Sequence, residues 1–166
     1  MGDLSDDFGR SHSFGVTAPI NVNSLPKSVG AGKTPRAVSI VGLVNAARAL
    51  ANGTLRGSIY WVDNNAAAGS RFLGTDHLIS VIEAGAVVTW TIEPMEVETY
   101  VEILDMKGPA VHLTGATEQS LYDGAFKYWK GQVASSAKGE YAYSFSLNVG
   151  GREMVLPANL TLDVTG

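Results

Sequence analysis

From residue 37 onward the chain is punctuated by short runs rich in Val, Ile, Thr, Tyr, Phe and Trp that recur about every ten residues, a rhythm of half-buried strands rather than helices. The runs fall at 57–62, 77–82, 87–92, 99–104, 126–133, 141–149 and 153–164, after an apolar segment "AVSIVGLV" at 37–44. Within them the residues alternate. Val88, Trp90 and Ile92 oppose Val87, Thr89 and Thr91; Val101 and Ile103 oppose Tyr100, Glu102 and Leu104; Tyr141, Tyr143, Phe145 and Leu147 oppose Ala142, Ser144 and Ser146. A period of two sends successive side chains to opposite sides of a strand, so each run has one face to bury and one wetter face. Turn-forming steps separate the runs: Ala84-Gly85, Glu93-Pro94, Lys107-Gly108-Pro109, Lys138-Gly139 and Gly150-Gly151, the last closing a hairpin. One segment, "NAARALANG", has the Ala and Leu content of a brief helix, stopped by Gly53. A parallel α/β sheet needs a crossover helix between strands, and only residues 43–52 could supply one. The reading is therefore all-β: an antiparallel two-layer β-sandwich with one short helix and a flexible N-terminal tail, a barrel being the alternative closure.

The tail is assigned to residues 1–35, which mix Ser, Gly, Asp, Asn and Pro with scattered apolar side chains and bury too little to offset their ordering entropy. Residues 36–166 form the sandwich domain. "VGAGKT" at 29–34 copies the end of a phosphate-binding loop, but the glycine that motif requires five residues before Gly32 is Lys27, so it reads as linker. A hydrophobic content of 45% is ample for one core, and 12 Lys and Arg against 16 Asp and Glu give a net charge of −4 with no dense basic cluster. Electrostatic attachment to nucleic acid or to an anionic membrane is thereby disfavoured. Cysteine is absent, which removes disulfides, zinc-thiolate sites and thiol nucleophiles. The acidic start "MGDLSDDFGR" has neither the basic beginning nor the apolar run of a secretory signal, and no stretch approaches the ~20 apolar residues of a membrane span, so a soluble, cytoplasmic protein is expected.

Site chemistry concentrates in "SIYWVDNNAAAGSRFLGTDHL", residues 58–78. Asp and Asn at a strand end have a sufficient explanation as turn formers, because their side chains mimic backbone acceptors and tolerate left-handed conformations. The same loop also offers planar polar groups beside aromatic rings, the equipment of carbohydrate recognition, so Tyr60, Trp61, Asp63, Asn64, Asn65, Arg71 and Asp76 are the candidate ligand-binding residues. A weak cation site on Asp63, Asn65 and Asp76 is a further option, although the order of a calcium loop is absent. No catalytic residues, metal ligands or cofactor are assigned. His12, His77 and His112 have no metal-ligand spacing; Asp76 could orient His77, yet no serine in a strained Gly-x-Ser-x-Gly turn accompanies it. Glu93, Glu96, Glu98 and Glu102 lie close in sequence and read as charges guarding a sheet edge.

The succession "ALANGTLRGSIYWVDNN", "GS", "GTDHL", "VIEAGAVVTW", "WKGQV", "YAYSFSLNVGGREM" and a final Pro-x-x-Leu resembles the bacterial AidA/PixA inclusion-body protein family over about residues 37–164. The resemblance implies a compact, non-enzymatic β-sandwich, of a kind that in some members accumulates as cytoplasmic inclusions. Two functions follow as expectations: a self-associating structural or assembly protein, present as a homo-oligomer, or a lectin-like module for a carbohydrate or small polar ligand.

Overall fold

A computed structural model describes residues 34–108, 126–156 and 159–166, together with the backbone of 113–121; Phe126 is likewise described in backbone alone. These residues form β1 (Val38–Val44), α1 (Ala46–Asn52), β2 (Ile59–Asp63), β3 (Ile79–Glu83), β4 (Val87–Pro94), β5 (Val101–Lys107), β6 (Leu113–Leu121), β7 (Phe126–Val133), β8 (Gly139–Val149), β9 (Arg152–Val155) and β10 (Leu160–Thr165). A single 3-10 turn at Ala66–Ala68 lies in the connection between β2 and β3. Residues 1–33, which hold most of the expected tail, the "VGAGK" stretch and His12, fall outside the described residues, as does His112.

The strands make two layers. Sheet I has the order β2-β1-β4-β7-β6, and sheet II the order β3-β10-β8-β5 with β9 also paired to β8. The expected sandwich is present, but two pairings depart from the antiparallel pattern: β1 with β4, and β3 with β10, run parallel. The reason is the route of the chain. After β2 it crosses to sheet II for β3 and returns for β4, so the opposite layer supplies the crossover that a helix supplies in α/β folds. The run at 153–164 divides into β9 and β10, and between them the Leu156 amide donates to the Phe145 carbonyl at 2.8 Å. β6 had no counterpart among the expected strands; it pairs with β7 through a register shift between Thr114 and Thr117.

The inner faces meet in an aromatic core. Trp61 stacks on Phe145 with ring centroids 5.4 Å apart, while Trp90 and Tyr143 approach Phe145 edge-on at 6.4 and 5.7 Å. Trp90 Nε1 donates to the Tyr143 hydroxyl at 3.3 Å, and burial drives the Tyr143 phenol pKa well above its ordinary value. Gly42 is the partner of Trp61 across the β1–β2 pair, and a Cβ at that position would lie 2.7 Å from the indole Cζ3. The glycine is therefore a packing choice: it clears the floor on which the largest core side chain rests.

The wetter-face expectation fails on β8, where Ser144 and Ser146 are buried along with Tyr143, Phe145 and Leu147. β8 is paired on both sides, and short hydroxymethyl groups on an interior strand are shielded by taller neighbours. The Gly150-Gly151 step closes the β8–β9 hairpin with φ of 56° and 86°, the left-handed pair required of a two-residue turn. The short helix starts where Asn45 Oδ1 accepts the Arg48 amide at 2.8 Å, and it ends at Gly53 in the left-handed conformation. A second cap comes from a distance: the Glu96 carboxylate accepts the amides of Ala46 at 2.9 Å and Ala47 at 3.4 Å. The acidic group 93–102 is thus no simple edge guard, since Glu96 caps α1 and Glu102 pairs with Lys127.

Candidate functional site

The connection from β2 to β3, residues 64–78, carries most of the candidate residues, and its hydrogen bonds show what it does. β2 is an end strand of sheet I and β3 an end strand of sheet II. An end strand presents backbone groups with no strand beside them. On β2, the Trp61 amide donates to the Thr75 carbonyl at 2.9 Å and the Gly74 amide donates to the Trp61 carbonyl at 2.7 Å. On β3, Arg71 and Ile79 exchange amide-to-carbonyl bonds of 2.9 and 3.0 Å. Further along, the Val81 amide donates to Ser70 Oγ at 3.0 Å, and the Val81 carbonyl accepts from Asn65 Nδ2. One connection therefore occupies the open backbone groups of both layers on this side of the sandwich.

The candidate residues take their places within that scheme. Asp63 Oδ1 accepts the Asn65 amide at 2.9 Å, an Asx turn that sets the chain's exit from β2. Asn64 Oδ1 accepts the Ser39 amide at 3.0 Å, tying the turn to β1, and the Arg36 guanidinium donates to the Asn64 carbonyl at 3.2 Å. Asn65 is buried with its amide group on β3. The Tyr60 hydroxyl donates to the Gly57 carbonyl at 3.3 Å. Arg71 Nη2 stands 3.6 Å from both Glu140 and Asp163 on the outside of sheet II. Trp61 is 0% exposed, so its ring faces Phe145 and offers no surface to a sugar. Its Nε1 and Asp63 Oδ2 are buried without a hydrogen-bond partner among the described groups. The structure brings Asp63, Asn64 and Asn65 together as a fastener between strands and sets Arg71 and Tyr60 on different surfaces. The proposed cation trio does not assemble either: the Asp63, Asn65 and Asp76 groups bond to separate backbone segments.

Asp76 is the most constrained carboxylate here. Oδ2 accepts the Gly57 amide at 3.0 Å, and Oδ1 lies 3.1 Å from His77 Nδ1, whose ring tilts against Phe72 at 5.0 Å. Phe72 is the one non-glycine of the described residues with positive φ, 60°, held there by the tight return of the loop onto β2. The His77 hydrogen bond is the largest influence on Asp76 and lowers its pKa below the ordinary 3.8; burial opposes it, and the Gly57 amide adds a smaller lowering. A depressed carboxylate stabilises the fold above its unfolded-state pKa, and that contribution is lost as pH falls through the folded-state value. Thermal melts taken from pH 5 downward should therefore show a shallower acid-side decline for Asp76→Asn than for the wild-type chain. Parallel declines would show that the carboxylate is not linked to folding.

Sequence reasoning missed Ser70, and it read Glu96 as an edge charge and not as a helix cap. Neither has a local signature, because their partners lie 11 and 50 residues away. Among the described residues no group of three His, Asp or Glu is placed to hold a metal ion.

The model of a family described as a domain of unknown function, DUF8788, matches residues 36–155. The chain belongs to that family. Among solved structures, this DUF8788 protein is similar to the PixA inclusion body protein from Burkholderia cenocepacia J2315. The TM-score is 0.59 at 9% sequence identity, over 82% of this chain and 96% of that one. At that identity the likeness is one of fold: the DUF8788 domain has a PixA-like sandwich, and the AidA/PixA resemblance read from sequence is supported at the level of architecture. A cysteine protease inhibitor from Entamoeba histolytica reaches a TM-score of 0.32 at 5% identity over 52% of this chain and 84% of that one, too slight to bear on the argument. Curated proteins give no match. Among the described residues no helix is long and apolar enough to cross a membrane.

Proposed function

We propose that this DUF8788 protein is a non-catalytic, self-associating structural or assembly protein of the bacterial cytoplasm. The observation that carries this reading is the use made of the polar cluster at 63–76. Asp63, Asn64, Asn65 and Asp76 each bond to the chain's own backbone and hold β1, β2, β3 and the connection together, as a scaffold would use them. Support comes also from the PixA-like architecture, since the protein of that fold is described as an inclusion body protein. A ligand-binding role for the same cluster would require these side chains to exchange structural bonds for ligand bonds, at the cost of leaving buried backbone groups unpaired. Size-exclusion chromatography with light scattering across a hundredfold concentration range tests the reading. Reversible, concentration-dependent dimers or higher species are expected, and a strict monomer throughout would refute self-association.

A further inference from the structure

The two outer faces of the sandwich differ in chemistry. On sheet II the outward residues include Lys107, Glu140, Glu153 and Asp163, a charged surface. On sheet I the pairings align Val62 with Val41 and Val41 with Thr91 across β2, β1 and β4; Tyr128 of β7 continues the row in the next step of the β4–β7 register. All four are half-exposed and turned away from the core, since their neighbours Trp61, Trp90 and Trp129 point inward. Leu43 and Tyr60 lie beside this row as cross-strand partners, and Leu43 is 38% exposed. The centre of the face thus carries mostly apolar and aromatic side chains, with the hydroxyl of Thr91 among them, and no charge. Five strands at a spacing of ~4.8 Å and strands of about seven residues at ~3.3 Å each span a footprint of about 500–600 Å² before side-chain relief. A standard interface takes about 800 Å² of accessible surface per partner, the same order.

Two exposed charges on this face are placed in a way that identifies its partner. Glu93 lies on β4 two residues beyond the apolar row. Lys130 lies on the adjacent β7 opposite Thr89, two residues to the other side of the row. Neither has an ion-pair partner among the described residues. A two-fold axis along the row Val62-Val41-Thr91-Tyr128, lying in the plane between two facing sheets, leaves each strand position unchanged and inverts the direction along the strands. It brings Glu93 of one copy to the level of Lys130 of the other, offset by one strand spacing of ~4.8 Å, and does so twice by symmetry. The apolar row then meets its own image. Aligned packing of two twisted sheets, rotated by about 30°, accommodates the contact.

We infer that the outer face of sheet I is an isologous docking surface for a second copy of this chain. The inference rests on the self-association reading and supplies its surface. Its test is charge reversal in the full chain, with dimer dissociation constants measured by light scattering and folding checked by thermal melts. Glu93→Lys alone and Lys130→Glu alone each turn two attractions into two repulsions, and each should raise the dissociation constant on the order of tenfold or more. The double variant E93K/K130E restores complementarity and should return the constant close to the wild-type value. Val41→Glu, which places a charge in the centre of the contact, should abolish the dimer. A wild-type dimer whose affinity is unmoved by either reversal would overturn this surface and leave self-association standing, whereas a wild-type monomer would overturn both.

Discussion

Gly42→Val is expected to lower the stability of the sandwich by about 3 kcal/mol, at the upper end of the range for overpacking a filled core. Even the first carbon of the new side chain would stand 2.7 and 2.9 Å from two indole atoms of Trp61, closer than non-bonded carbons approach. The indole is rigid and fully buried against Phe145, so it cannot swing aside as the end of a lysine would. For a domain of this size about 3 kcal/mol corresponds to a fall of roughly 6–12 °C in melting temperature. The assignment of cause is checked by compensation. In a Trp61→Leu background, which opens space at the same contact, Gly42→Val should cost much less than it does in the wild type. Additive effects of the two substitutions would mean that the glycine is needed for some other reason.

Phe145→Ala should be at least as damaging, with a loss of about 3–5 kcal/mol on denaturant titration and little change in the slope of the transition. The ring is the hub of the aromatic core: Trp61 lies flat on it, and Trp90 and Tyr143 meet it edge-on. Its removal opens a cavity bounded by rigid side chains from both sheets, which cannot collapse to fill it. Phe145→Leu keeps most of the volume and should lose clearly less. A loss below about 1 kcal/mol for Phe145→Ala would contradict the central position given to this residue.

Much of this architecture is legible in the sequence, for local reasons. Strand β7 is the segment 126–133 expected from its aromatic and β-branched content. The helix is the Ala- and Leu-rich stretch, stopped by Gly53 where only a left-handed residue fits. β6 escapes because "LTGATEQSL" has neither apolar alternation nor β-branched density; its strand form comes from pairing with β7. The parallel pairing of β1 with β4 is invisible locally, since it depends on a passage through the other sheet. At the candidate site, the Asx turn at Asp63 is written in the residue types, and its tie to Ser39 is not. Trp61 shows the limit most clearly. An aromatic residue beside Asp-Asn-Asn suggests a stacking platform, but it shares a strand face with buried Ile59, and the partner that buries it is 84 positions away in the chain.

The connection between β2 and β3 bears on how this fold resists edge-to-edge aggregation. Strand-by-strand growth, the route to amyloid-like fibres, needs two open sheet margins on every subunit so that each arrival offers a new template. Here the backbone groups of Trp61, Ile79 and Val81 are already taken, so that side of the subunit acts as a chain terminator. If copies pair as proposed above, crowding would favour closed pairs through side-chain faces over endless ladders. A pair formed that way would separate again without unfolding its parts.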